Sequence, residues 1–429
     1  MRKIYFLTFI MSILLISTDM FAQTSSLSAE LRPRFEFRNG YKQLMPDGND
    51  PAAFISQRTR LNGFYANEKF LFKISLQDVR VWGDVNQLNT SDVNGTSIHE
   101  AWGEILFSKA FSIKVGRQEI IYDDHRIFGS VGWAQQARSH DAAILKLKPN
   151  SKHDIHLGFA YNAKKESLFK VDYVGMGNYK ALQFAHYHGS FNKFGISIME
   201  LYNGLAFDSD TSTAVAEKIA WSLTLGSRLT YKSDKVVANI AYYYQGGKNA
   251  SNKDLAATYF AADVNFNIFS NFIVGIGGEY LSGTASKDKG NGTDNSFTPF
   301  YGTNHKFNGW MDYFYVGNHG GNVGLTDIYV PIKFNINKWS FALIPHYFMS
   351  AATVSEKQTD GSWKDFSNTL GTEIDFSITY KLNKEVALQA GYSQMLATET
   401  MEVLKGGNYN NTNNWAWVMI TFKPTFFEK

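Results

Sequence analysis

One stretch concentrates the residues that can do chemistry: IYDDHRIFGSVGWAQQARSHDAA, Ile121 to Ala143, with three Asp, two His, two Arg, two Gln and one Trp. Such a mixture suits a catalytic centre, a metal site or a polar ligand surface. A nucleophile needs a base within reach. Ser139, His140 and Asp141 are consecutive and form no ready-made triad, and spacing gives no support for joining Ser130 or Ser139 to His125. A metal reading would use Asp123, Asp124, His125 and His140, at spacings that match no strong ligand motif. The expectation is therefore no enzyme, no cofactor and no metal, but a polar loop that can extend across a pore. Arg117, Arg126 and Arg138 would add donors there, and Trp133 would stack on a sugar ring.

The other chemical signal is arginine. Of 11 in the chain, nine fall between Arg32 and Arg138, and only Arg228 lies beyond. Arg32, Arg34 and Arg38 share one strand face; Arg58 and Arg60 share another with Ser56 and Asn62. A lipid-facing Arg near the bilayer midplane costs about 2–4 kcal/mol, so these five should point into a lumen. Adjacent strands sit about 4.8 Å apart, which lets the two rows form one basic wall. Glu30, Glu36, Glu100 and Glu104 can interleave and hold the guanidinium groups. The planar guanidinium fork matches a carboxylate bidentately. A salt-bridge lattice that merely braces the wall is the competing reading.

The elements that must carry these residues are strands. Phe70, Phe72, Ile74 and Leu76 alternate with Leu71, Lys73, Ser75 and Gln77; Trp221 to Tyr231 repeats the pattern. Near Gly116 to Glu119 the alternation blurs, which leaves the parity of Arg117, like that of Arg80, ambiguous. Short connections at Ala66–Lys69, Ser108–Ala110, Pro149–Asp154, Gly189–Lys193, Lys232–Lys235, Ile268–Asn271, Asn335–Lys338 and Lys381–Glu385 alternate with long polar ones. The long ones are roughly 39–53, 81–97, 122–140, 162–178, 202–217, 246–256, 282–324, 351–366 and 397–412. Nine long loops and eight short turns give an all-β chain of 18 antiparallel strands with both termini on the short-turn side. That describes an outer-membrane barrel with periplasmic turns and extracellular loops.

Composition agrees. The chain carries 23 Tyr, 34 Phe and 9 Trp, more aromatic side chains than a soluble sandwich wants but what lipid-facing girdles need. Residues 1–22 read as a signal peptide: Arg2 and Lys3, an apolar run from Ile4 to Ile16, and Ala22 before the cleavage point. That run is short for a membrane anchor. Residues 23–429 then form one barrel domain. There is no Cys, which excludes a lipoprotein or a disulfide scaffold, and no later apolar run long enough for a helical span. The formal charge of +3 falls to +2 without the signal, which holds Arg2, Lys3 and Asp19, so bulk charge argues against a nucleic-acid partner. The expected partners are outer-membrane lipid and lipopolysaccharide, the barrel-assembly machinery and an anionic solute or acidic oligosaccharide, with the barrel a monomer.

RPRFEFRNGY (32–41), QRTRLNGFYANEKFLFKISLQDVRVWGD (57–84) and HEAWGEILFSKAFSIKVGRQEIIYDDHRIFGSVGWAQQARSHDAAILKL (99–147) resemble the bacterial alginate-export family of outer-membrane porins, especially members from Bacteroidetes-type bacteria. The resemblance spans the barrel and is sharpest over its first third. It implies an 18-stranded barrel and passive passage of an anionic uronate polymer through an arginine-rich lumen. The family's basic lumen falls here on Arg32, Arg34, Arg58, Arg60, Arg80, Arg117, Arg126 and Arg138. The opposite wall is much less basic. A channel for anionic solutes, importing or exporting, is the leading expectation. The alternative is a non-conducting barrel whose loops bind a surface glycan or protein.

Overall fold

In the computed structural model, residues 23–89, 91–92, 95–208 and 217–429 are described, and they form a closed antiparallel barrel. The expected signal peptide lies outside the described residues. The strands are β1 Thr24–Asn39, β2 Ala52–Ala66, β3 Phe70–Val81, β4 Ser97–Ser108, β5 Phe111–Gln118 and β6 His140–Asn150. They continue with β7 His153–Tyr161, β8 Ala181–Phe191, β9 Phe194–Asp208, β10 Glu217–Lys232, β11 Val236–Lys248, β12 Asp254–Phe269 and β13 Phe272–Leu281. β14 has two segments, Leu325–Tyr329 and Ile332–Ile336. β15 Trp339–Met349, β16 Thr369–Lys381 and β17 Val386–Ala397 follow, and β18 again has two segments, Asn413–Phe422 and Thr425–Glu428.

Each strand pairs with its sequence neighbours, and β18 pairs with β1 to close the barrel. Twenty hydrogen-bonded segments thus make 18 strands, because β14 and β18 are each interrupted once. Both interruptions fall at a proline, Pro331 and Pro424, which has no N–H for the ladder. At the first, the Pro331 carbonyl still accepts from the Gly275 N–H at 2.9 Å, so pairing resumes in phase. Closure leaves no open edge, as hydrocarbon requires. Outward positions on successive strands carry exposed apolar side chains, among them Leu31 and Phe35 on β1, Leu225 and Leu229 on β10, and Ile276 and Tyr280 on β13. A closed 18-stranded barrel with this exterior belongs in a bacterial outer membrane.

All eight expected turns are present. Two long loops are shorter than expected: β9 runs to Asp208 and β10 begins at Glu217, while β11 reaches Lys248 and β12 begins at Asp254. Gly204 and Gly246 look like loop signals but sit in strands under aromatic rings. A Cβ on Gly204 would meet the Trp221 ring at 2.8 Å, and one on Gly246 the Tyr244 ring at 3.0 Å. The other end of the barrel carries the long loops. One holds the hairpin Ser355–Lys357 with Trp363–Asp365; another holds the helix Glu399–Lys405, capped by Thr398. A tag inserted at exposed Asn291 should therefore be labelled on intact cells, and one at Ser233–Asp234 should not; reversed labelling would overturn this orientation.

Candidate functional site

The pairing register sets the site. On β1, Glu30, Arg32, Arg34, Glu36 and Arg38 face inward, opposite Leu31 and Phe35. Arg32 pairs with Arg58 and Glu30 with Arg60 across β1 and β2, so the two arginine rows do make one wall. Glu30 binds Arg58, and Glu36 sits between Arg34 at 2.8 Å and Arg38 at 2.9 Å. Glu100 and Glu104 also face the lumen, but they hold lysines instead of arginines: Lys73 bonds Glu100, and Lys146 bonds Glu104 at 2.7 Å.

The polar stretch that opened the sequence is the loop between β5 and β6, and it crosses the lumen. Asp123 contacts His186 of β8 at 3.3 Å, Asp124 contacts Arg228 of β10 at 3.2 Å, and Arg126 pairs with Glu279 of β13 at 2.7 Å. The chain then returns to the first wall. Arg32 donates to the Gly132 carbonyl at 2.8 Å, the Trp133 carbonyl at 3.0 Å and Gln135 Oε1 at 2.9 Å. Arg34 donates to the Trp133 carbonyl at 2.7 Å, and Arg58 to the Gln135 carbonyl at 3.3 Å. Val131 holds φ at +52°, a conformation a β-branched residue rarely adopts.

A second inward loop, 282–324, interlocks with the first. Gly129 donates its N–H to the Tyr301 carbonyl, and Thr303 donates to the His125 carbonyl, both at 2.9 Å. The approach demands glycine: a Cβ on Gly129 would lie 2.3 Å from Thr303 Oγ1, and one on Gly302 would lie 2.2 Å from the Arg126 carbonyl. Phe128, Met311 and Tyr313 are wholly buried there. This loop docks on a wall of carboxylates that arginine counting did not reveal. Trp310 and Met311 donate N–H groups to Asp375 at 3.1 Å and Glu373 at 2.7 Å; Asn308 donates to Glu279 and Asp327; His346 contacts Asp327 at 3.0 Å. Asp312 is bound by His305 at 3.0 Å and by the Tyr41 hydroxyl. Burial opposes its ionisation, but those two partners outweigh burial and hold its carboxyl below the usual range.

The interlocked loops separate three cavities. An outer one of about 630 Å³ is lined by Arg38, Lys42, Arg138, Tyr41 and Tyr315. Below it, on the β1–β4 side, one of about 530 Å³ is lined by Arg60, Lys73, Glu100 and Glu119. A third, of about 460 Å³, lies against β10–β15. Arg60 reaches the middle of this arrangement: its Nε donates to Gln77 at 2.7 Å, and one terminal nitrogen has no hydrogen-bond partner. Arg138 donates to the Gly302 carbonyl at 3.0 Å.

Three expected residues stand elsewhere. Arg117 follows Phe111, Ile113 and Val115 in the outward register and pairs with exposed Asp141 at 2.9 Å. Arg80 pairs across to Gln57, also in the outward register, and its guanidinium is held by Asp78 and Asp92. The Arg117 guanidinium is exposed on the outer side, whereas Arg80, at the strand end, also lines the outer cavity with Arg38; near an interface an outward Arg is tolerated. Trp133 does face inward, but not as a free stacking platform. The Arg34 guanidinium lies 4.0 Å from its ring centroid, and the His305 ring stacks on it at 4.5 Å.

The metal and enzyme alternatives disperse in the same way. Asp123, Asp124 and His140 turn to His186, Arg228 and Tyr179 respectively. No cluster of metal-ligating side chains exists among the described residues. Ser139 does meet a His–carboxylate pair, His99 with Glu119 at 2.8 Å. Its hydroxyl donates to the His99 carbonyl at 2.5 Å, which turns the proton away from the imidazole. The three brace the base of the loop.

A family model described as alginate export matches residues 23–413. No curated protein matches the sequence. Solved barrels resemble it at low identity. Acinetobacter baumannii OccAB4 superposes with a TM-score of 0.60 at 10% identity, covering 96% of this chain and 100% of that one. A BenF-like porin from Pseudomonas fluorescens Pf-5 gives 0.61 at 10%, covering 94% and 99%. Pseudomonas aeruginosa OpdK, solved with vanillate, gives 0.58 at 8%, covering 93% and 99%.

Proposed function

Because the chain belongs to the alginate-export family, we propose that it is a passive outer-membrane channel for small anionic solutes, with uronate units and short acidic oligosaccharides as the class it suits. The observation that carries this reading is the succession of cations beside the inward loop: Arg38, Lys42 and Arg138 above it, Arg60 and Lys73 below. A passenger carboxylate meets donors at several levels, each partly engaged already, so it binds weakly and leaves. Interlocked loops in mid-lumen favour monomers and short oligomers over a long polymer. The vanillate recorded with OpdK is itself a carboxylate, which supports the class without defining this passenger.

Arg60 gives the test. One charge about 8 Å from a passing ion is worth about 0.5 kcal/mol at water's dielectric constant, roughly twofold in a permeability ratio. Arg60→Gln should lower the anion-to-cation ratio by that order, most clearly at low salt. Arg60→Lys should keep the chloride ratio and lose preference for galacturonate, because the planar fork is gone. Reversal potentials in a salt gradient read both. An unchanged ratio in Arg60→Gln would remove this residue from the passenger's path.

A second reading, a non-conducting barrel whose loops bind a surface glycan or protein, draws on the same interlock: Phe128, Met311 and Tyr313 have no exposed surface. A bilayer that shows no current at any voltage after verified insertion would favour it.

A further inference from the structure

The anion pathway leaves the 460 Å³ cavity against β10–β15 without a role. It lies on the turn side of the interlocked loops, roofed by Phe307 and Trp310 and walled by Tyr329, Asp263 and Lys333. The Asp263 carboxylate accepts two hydrogen bonds from the Asn239 amide, at 3.0 and 2.7 Å. Among the described residues it has no cation within ion-pair distance, and Lys333, exposed to the lumen, has no carboxylate. Of the other charges at this level, Arg228 pairs with Asp124, Arg126 with Glu279 and His346 with Asp327, while the Lys306 ammonium donates to the Asp124 carbonyl at 2.8 Å. One cavity thus displays the Asp263 carboxylate and the Lys333 ammonium, neither in an ion pair, with Lys306 engaged by a backbone carbonyl beside them.

The strand between them adds no side chain of its own on the diagonal from one to the other. β13 presents Gly275 and Gly277 on the face that carries Glu279, and the Asn265 amide lies over the first while Tyr329 lies over the second, so both line the space between Asp263 on β12 and Lys333 on β14. The Tyr329 ring lies over Gly277, where a Cβ would meet it at 2.3 Å, and supplies a flat apolar wall. Two strand spacings, about 10 Å, separate β12 from β14, and the register sets Asp263 level with Gly277 but Lys333 level with Ile273, about 13 Å further along the strand. Lysine's flexible stem shortens that gap to the length of a small solute.

We propose that this cavity is a binding site for small zwitterionic solutes whose protonated amine and carboxylate are several bonds apart. The amine meets Asp263, the carboxylate meets Lys333, and the methylene body lies against Tyr329 and Trp310. A simple anion of the same length would satisfy Lys333 but leave Asp263 facing a methyl group; a simple cation would do the reverse. The site is separate from the cationic succession along β1–β4 and needs no current to be detected.

The experiment is saturation-transfer NMR on the detergent-solubilised full barrel with 4-aminobutyrate, butyrate and butylammonium. Charge-assisted hydrogen bonds contribute enough for about a tenfold difference in affinity per contact. Wild type should bind 4-aminobutyrate about tenfold more tightly than either isostere. Asp263→Asn should reduce it to the level of butyrate, and Lys333→Gln to the level of butylammonium. Butyrate binding as tightly as 4-aminobutyrate, no saturable binding of 4-aminobutyrate, or wild-type affinity in both variants with normal heat-modifiability would each overturn the site. Because the readout is binding, its failure is distinct from failure of the anion channel, which is read by current.

Discussion

Replacing Arg32 and Arg58 together with Gln should raise single-channel conductance several-fold and admit larger solutes. Arg32 alone reaches three backbone carbonyls and the Gln135 side chain, and Arg58 adds the Gln135 carbonyl. Each charged hydrogen bond contributes about 1.5–3 kcal/mol. Against them stands the strain at Val131, about 1–3 kcal/mol for a left-handed β-branched residue, together with the conformational entropy the segment regains when released. With both guanidinium groups gone, residues 131–136 should leave the lumen while the barrel stays closed. Conductance should therefore rise even as anion preference falls. Those opposite movements separate an anchoring role from passenger contact. Planar-bilayer conductance and a size series in liposome swelling measure the effect, and unchanged conductance in a correctly assembled variant would show that other contacts hold the loop.

The second large effect should come from Arg126. Its pair with Glu279 is buried on both sides, and Asn308 completes it. Arg126→Ala leaves a buried carboxylate without its cation, a change that costs about 3–5 kcal/mol. The heat-modifiability midpoint should fall sharply. Arg126→Met combined with Glu279→Leu should recover most of the loss, because an apolar pair of similar volume removes both desolvation penalties. A double variant no more stable than Arg126→Ala would show that the arginine's packing against Phe307 and Tyr259 matters more than its charge.

The barrel was legible because a lipid-facing strand must alternate and a periplasmic turn must be short. Asn67 and Asn383 mark two turns where a side-chain oxygen caps the returning backbone, a purely local signal. The inward face of β1 was equally clear, since charge on the apolar side would be costly. Arg117 was readable too: the parity of Phe111, Ile113 and Val115 assigns it outward, once the blur at Gly116 is ignored. What local pattern does not carry is which distant backbone fills the lumen. Glu373 and Asp375 are two ordinary acids on a strand until Trp310 and Met311, more than sixty residues earlier, lay their amides on them. Trp133 looked available for a sugar for the same reason: Arg34 and His305, which occupy its ring, come from far away in the chain.

The seam between the first and last strands has a consequence for biogenesis. Ser25 and Lys429 exchange both backbone hydrogen bonds, at 2.9 and 3.0 Å, so the seam joins residues about 400 apart in sequence. β1 stays unpaired on one side until β18 reaches it. The contact of greatest sequence separation is thus also the one that seals the wall, and high contact order makes it slow. Loops that interlock across the lumen find opposing surfaces only after that seal. The chain must spend its longest interval as an open sheet with an apolar face and a free edge, the state most prone to pairing with another copy. Shielding that edge, more than reaching the bilayer, is the task its folding sets for the cell.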